Sequence, residues 1–288
     1  MIIPPELVDI ILRDVCAGEH PQVISSTLYN SSLVCKCWRG IAQPLLFSEP
    51  SLARRSASTS TSLLVALSKY PHLRGLIKIL WLDYNTFWLW PRYRNLLFEL
   101  LPGLQSLVLA GFHWPIPHEI FAALQSTFSS DRITRLYLSH MTKFPVALFY
   151  HFSTLRELYL RKVTFEGFRV DTGDLVQKKT GGDSSQVDAR LHSRGKQLRL
   201  EHLSLFYREI TEAWIIKWLL NPSCAFDTPL LKSLHLYHPH SQPDSINLVN
   251  ELLRSTSPFV EVLEWTFPGR FDNVSHFQQK SPCPTLMV

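Results

Sequence analysis

The chain of 288 residues has no run of about 18 apolar residues free of charge, proline and glycine, so no membrane-spanning helix is predicted. The most apolar candidate, Leu100 to His118, is broken by Pro102, Gly103, Pro115 and Pro117. The opening MIIPPELVDII carries acidic residues and no early Lys or Arg, so the basic start and small-residue cleavage site of a secretory signal are missing. Cysteine is sparse. Cys16, Cys35, Cys37, Cys224 and Cys283 are odd in number and irregular in spacing, which gives no disulfide framework and predicts reduced thiols inside the cell, in cytoplasm or nucleus. No run of five or six basic residues occurs, so neither nucleic acid nor a membrane is predicted as a partner.

Motifs of most catalytic and metal sites are also missing. With no glycine-rich phosphate loop, G-x-S-x-G elbow, H-E-x-x-H helix or paired C-x-x-C, no catalytic residue, cofactor or metal is assigned, and the chain is not read as an enzyme. The closest metal-like string is His235, His238 and His240 with Cys224 nearby. His235 would project from a strand while the other two flank Pro239 in a loop, a poor match to the strict geometry of zinc.

Apolar residues are plentiful. At 45% hydrophobic and 18% charged, the chain can bury a large core in one large domain or two smaller ones. Charge divides it. Residues 1–50 hold three basic and five acidic residues, leaving 26 of the 29 basic and 19 of the 24 acidic for the remainder, a net of −2 against +7. Two parts are expected, 1–50 and 51–288.

In the first part, Pro4 and Pro5 suit a helix start, because proline at the first helical position loses no hydrogen bond. The adjoining ELVDIILRDV is aliphatic out to Val15. Leu7, Ile11 and Val15 form one stripe; Val8 and Leu12, with Ile10 beside them, form another. A helix apolar on two sides must bury both, and fifty residues offer little surface for that. One side is expected to serve an internal core and the other a partner. After a break at Gly18 to Pro21, a second helix is predicted through Val23, Ile24, Thr27 and Leu28 to about Val34, and a third through Trp38, Ile41, Ala42 and Leu45.

The stretch IPPELVDIIL, with SLVCKCWRGIAQPLLF about twenty residues later, resembles the F-box. Ile3 stands where Leu is commonest, then come Pro4, Glu6, Leu7, Ile10 and Ile11, with Val34, Cys35 and Trp38 at the spacing of its Val-Cys-x-x-Trp signature. The resemblance covers residues 3 to about 48. It implies a three-helix module docking on the Skp-type adaptor, and through it a cullin, of an SCF ubiquitin ligase. Adaptor contacts are then expected at Pro4, Pro5, Leu7, Ile10, Ile11, Leu33, Val34 and Trp38. It also places Cys35 and Cys37 as small residues near a packed helix end rather than as a redox pair.

Beyond residues 51–75, read as a linker or cap, an aliphatic triplet spaced three and then two recurs through 76–288. It appears as Ile77, Leu80, Leu82; Leu104, Leu107, Leu109; Ile133, Leu136, Leu138; Leu155, Leu158, Leu160; Leu200, Leu203, Leu205; Leu231, Leu234, Leu236; and Val260, Leu263, Trp265. The steps of 27, 29, 22, 45, 31 and 29 residues suit one strand plus one helix per unit, close to the roughly 20 to 29 of leucine-rich repeats. Helices are predicted over 93–101, 117–128, 145–152, 211–220 and 245–255, and alternation of strand and helix calls for parallel strands. The repeat's Asn/Cys ladder is absent, which predicts an irregular solenoid. The 45-residue step holds a polar segment, 171–197, with a KKTGGDSS core, read as a mobile surface loop and most simply as a tolerated insertion.

An N-terminal F-box joined to segments such as LPGLQSLVL and FSTLRELYL resembles fungal F-box proteins with divergent leucine-rich repeats. That resemblance implies a substrate receptor, the F-box holding the ligase and the repeats an unknown target protein. Because strand side chains alternate, residues between the leucines are expected on an open concave face. There Trp81, Arg135, Tyr137, Glu157, Tyr159, Arg161, Phe206, His235 and Tyr237 are the candidate target contacts, since aromatics and Arg dominate binding hot spots. The aromatic run around Trp81, Trp88 and Trp90 reads as core or cap. The fold class expected is α/β. The alternative to a ligase receptor is a non-catalytic repeat scaffold whose first helices merely cap the array.

Overall fold

The computed structural model describes residues 3–18, 21–49, 57–84, 101–166, 198–206, 213–221, 224–227, 230–237, 243–256 and 259–266. Each triplet becomes the lead-in and body of a strand: β1 (Ile79–Asp83), β2 (Ser106–Ala110), β3 (Arg135–Phe144), β4 (Glu157–Phe165), β5 (His202–Phe206), β6 (Ser233–Tyr237) and β7 (Val262–Thr266). The fold is α/β. Its seven strands are all parallel and lie in chain order from β1 to β7.

The leucine spacing sets the register. Leu80, Leu107, Leu136, Leu158, Leu203, Leu234 and Leu263 are cross-strand partners in turn, as are Leu82, Leu109, Leu138, Leu160, Leu205, Leu236 and Trp265. A shift by one residue would turn every leucine to the other face, so the apolar pattern enforces this alignment. Backbone bonds repeat with it. The carbonyl of Lys78 accepts the N–H groups of Gln105 and Ser106 at 2.8 and 2.9 Å, and that of Glu201 accepts those of Lys232 and Ser233 at 2.9 and 3.0 Å.

The leucines of β1 to β6 are buried in one core, to which the intervening helices add their apolar sides. Leu63, Leu64 and Leu67 come from α4 (Ala57–Lys69), Leu124 and Phe128 from α5 (His118–Phe128), Ile215, Ile216 and Trp218 from α6 (Ala213–Leu219), and Val249 and Leu252 from α7 (Pro243–Thr256). The segment expected as linker or cap thus forms a helix, α4, and then a 3-10 turn over Pro71–Leu76 that inserts Leu73 and ends beside the buried Ile77. Aromatic rings fill the middle of the core: Phe149 lies 5.2 to 5.4 Å from the ring centres of Phe144, Trp218 and Phe226.

Several expectations need correction. The helix predicted over 145–152 is a 3-10 turn, Val146–His151, because β3 runs on to Phe144 and β4 starts at Glu157, and in the short connection 145–156 the turn is enough to carry Leu148 and Phe149 into the core. In the last triplet, Leu263 occupies the position of Leu234 yet is 48% exposed, since no described strand lies beyond β7. The predicted loop 171–197, Trp88 and Trp90 lie outside the described residues, as does the predicted helix 93–101 apart from Leu101, which is buried.

The first part folds as α1 (Pro5–Gly18), α2 (Pro21–Val34) and α3 (Lys36–Ser48). The carbonyl of Pro4 accepts the N–H groups of Leu7 and Val8, with Pro5 in the first helical position where its missing N–H costs nothing. Val8, Leu12, Leu28 and Ala42 make a small core of their own. At its end α3 joins the larger body: Phe47 packs on the main core, and the Ser48 carbonyl accepts the Lys78 N–H at 2.8 Å. Among the described residues, no helix is long and apolar enough to cross a membrane.

Candidate functional site

Two surfaces collect the residues singled out by the sequence. The first is on α1 and α2. Leu7, Ile10 and Ile11 are 50%, 61% and 47% exposed, and Leu33 and Val34 are 59% and 63% exposed. Pro4 and Pro5 are exposed at the start of α1. Ile10 belongs with this outer group rather than beside Val8 and Leu12, which are sealed inside. Trp38 differs from the rest: it is half-buried against the small core and helps hold the three helices together.

Sequence reasoning left three further exposed hydrophobics of these helices and their lead-in off the list of contacts. Ile3, Val23 and Tyr29 are 38%, 44% and 56% exposed. The signal was readable, because α2 (PQVISSTLYNSSLV) contains no charged residue, and an exposed helix normally carries charge on its solvent side. Full burial of a large aliphatic side chain is worth about 1.5–3 kcal/mol, so a partner covering several of these residues would gain substantial free energy.

The second surface is the face of the sheet opposite the leucines. Between the two leucines of each strand it carries Trp81, Val108, Tyr137, Tyr159, Ser204, His235 and Glu264, paired strand to strand in that order. The Tyr137 and Tyr159 rings stack at 4.1 Å and 7°. Phe206 and Tyr237, one alternation further along β5 and β6, stack at the same distance and angle. Arg135 pairs in register with Glu157 at one end of the tyrosine stack, and Ser139 with Arg161 at the other. Burial pushes the Tyr137 and Tyr159 phenols up from their ordinary range, and their hydroxyls share a hydrogen bond. Tyr237 is raised too, by burial and then by the Glu264 carboxylate.

This face is not open along its whole length, as the alternation had suggested. Glu49, just past α3, accepts the Trp81 indole N–H at 2.9 Å and also acts electrostatically on Tyr137. Val108 lies on the strand between those two residues and is 3% exposed; Ser106 beside it is 1% exposed. Trp81 is therefore already engaged by the chain itself. From β3 to β6 the face is half-buried at Arg135, Tyr137, Glu157, Tyr159, His235 and Tyr237 and closed at Ser204 and Ser233, and His235 bridges the Ser233 hydroxyl at 2.7 Å and the Glu264 carboxylate at 2.5 Å.

No group of three or more His, Cys, Asp or Glu side chains is arranged to hold a metal among the described residues. His238 and His240 lie outside them; Cys224 is buried, and its thiol is pushed up to about 12 by that burial. A comparison with protein-family models finds no match for this chain, and a comparison with curated proteins finds none either.

Proposed function

We propose that this chain is a substrate-recognition subunit of an SCF-type ubiquitin ligase. In this reading α1 to α3 are an F-box docking on the Skp-type adaptor, and through it a cullin. The strand array is an irregular leucine-rich-repeat solenoid that holds a target protein for ubiquitination. The protein makes no bonds itself; it raises the effective concentration of a bound target near a ubiquitin-loaded enzyme, in the cytoplasm or nucleus.

The observation that carries the reading is the division of aliphatics on α1. Val8 and Leu12 complete an internal core, while Leu7, Ile10 and Ile11 remain outside it, as do Leu33 and Val34 at the end of α2. Exposed aliphatics on these two helices suit a partner with hydrophobic grooves. The test is the double variant Ile10→Asp, Ile11→Asp in the full chain, co-expressed with a Skp-type adaptor. Adaptor recovery should be lost while the melting temperature is kept; unchanged recovery would refute the reading.

A second reading has one observation in its favour. Phe47 and Ser48 pack against the first strand region, as an end cap for the array would. A scaffold of that kind predicts no adaptor recovery from either the native chain or the variant.

A further inference from the structure

We propose that the carboxyl-end rim of β3 and β4 docks an acidic polypeptide segment. The proposal rests on reading this side of the sheet as the target side, and it adds the charge of what binds. The rim begins at a corner shared by three strands: Gly111, His140 and Lys162 all have left-handed backbone, with φ of 73°, 53° and 51°. That conformation is disfavoured for a residue with a Cβ. Glycine meets the requirement after β2, yet β3 and β4 place His and Lys there. Backbone strain held in this way is a pointer to function.

The result is a cluster of basic residues. Ser139 pairs with Arg161 and Met141 with Val163, so His140 and Lys162 lie side by side between those pairs, with Arg161 adjacent. Lys143, also left-handed at φ 54°, donates its backbone N–H to Thr164 Oγ1 at 3.0 Å, which holds it next to the same strand. Burial lowers the His140 pKa, and Lys162 and Arg161 lower it further, the response expected of a base among like charges.

Some cations elsewhere are matched within the described residues. Arg13 pairs with Asp9 at 2.8 Å, and Glu201 takes both Arg156 and Lys232. Lys143 and Lys162 have no carboxylate partner among the described residues, and Glu166, just past β4, pairs with neither. An acidic segment would supply what the fold does not. It also suits the floor beside the rim, where Tyr137 and Tyr159 stack on each other instead of presenting separate ring faces to nucleic-acid bases.

The experiment titrates the full chain into fluorescein-labelled oligoglutamate and reads anisotropy, with single-stranded oligonucleotide as the competing polyanion. Oligoglutamate should bind, more weakly as salt rises. Lys143→Glu and Lys162→Glu should each weaken it on the order of tenfold, because a close attraction becomes a repulsion. Lys217→Glu, on the exposed side of α6, should leave binding unchanged. Absence of oligoglutamate binding, equal loss in Lys217→Glu, or equally tight binding of the oligonucleotide overturns the proposal. Adaptor recovery is a separate readout, so the ligase reading and this one can fail independently.

Discussion

The indole N–H of Trp81 donates to the Glu49 carboxylate at 2.9 Å, which ties the end of α3 to the first strand across 32 residues of sequence. With the Ser48 to Lys78 backbone bond and the Phe47 contact, it makes the junction between helices and sheet a packed one. Glu49→Leu leaves a half-buried N–H unpaired and should lower stability by about 1 kcal/mol in chemical denaturation. Glu49→Gln, which keeps an acceptor oxygen, should recover most of that loss.

A glycine near the same junction admits no side chain. A Cβ on Gly103 would stand 2.5 Å from the Gly75 carbonyl oxygen and 3.1 Å from that of Ile77, both rigid backbone. Gly103→Ala is expected to cost about 1–3 kcal/mol, the range for overpacking, whereas Gly75→Ala meets nothing within 4 Å. Thermal melting of the two variants side by side checks the contrast.

The stacked tyrosines predict loss of stability in alkali. Their phenols ionise at about 10 in the unfolded chain and higher in the folded one, so above that pH the unfolded state holds fewer protons and is favoured. Denaturant midpoints should fall as pH rises from about 10, and the Tyr137→Phe, Tyr159→Phe double variant should fall less steeply.

Thiol reactivity should divide in two. Cys35 and Cys37 are exposed, while Cys224 is buried with its thiol held up to about 12. Iodoacetamide on the native protein should label Cys35 and Cys37 and spare Cys224 until denaturant is added, as peptide mass mapping would show. Labelling of Cys224 at native-state rates would mean that its burial is transient.

Much of the sheet was legible in the sequence because leucine spacing controls register directly: Leu80 through Leu263 align as the triplets predict. The split of α1 was only partly legible. A stripe count groups Ile10 with Val8 and Leu12, but the side on which α2 and α3 pack is decided by tertiary contacts that no single-helix periodicity contains. The same holds for Glu49 over Trp81, a contact between distant segments with no local signature. Left-handed corners at His140 and Lys162 were hidden too, because glycine marks the equivalent position only at Gly111. The failed helix at 145–152 shows a different limit: apolar residues at helical spacing serve equally well on a 3-10 turn when the preceding strand runs on into the connection, as β3 does to Phe144.

The strict chain order of the sheet bears on how it comes apart. Each strand bonds only to its neighbours in sequence, so no contact in the sheet fastens β7 to β1. Opening can start at the far edge, where Leu263 is half-uncovered, and stop part-way without disturbing the amino-terminal helices. Amide hydrogen exchange should therefore grade along the array, fastest at β7 and slowest in β3 and β4, whose longer pairing makes them the last piece to let go.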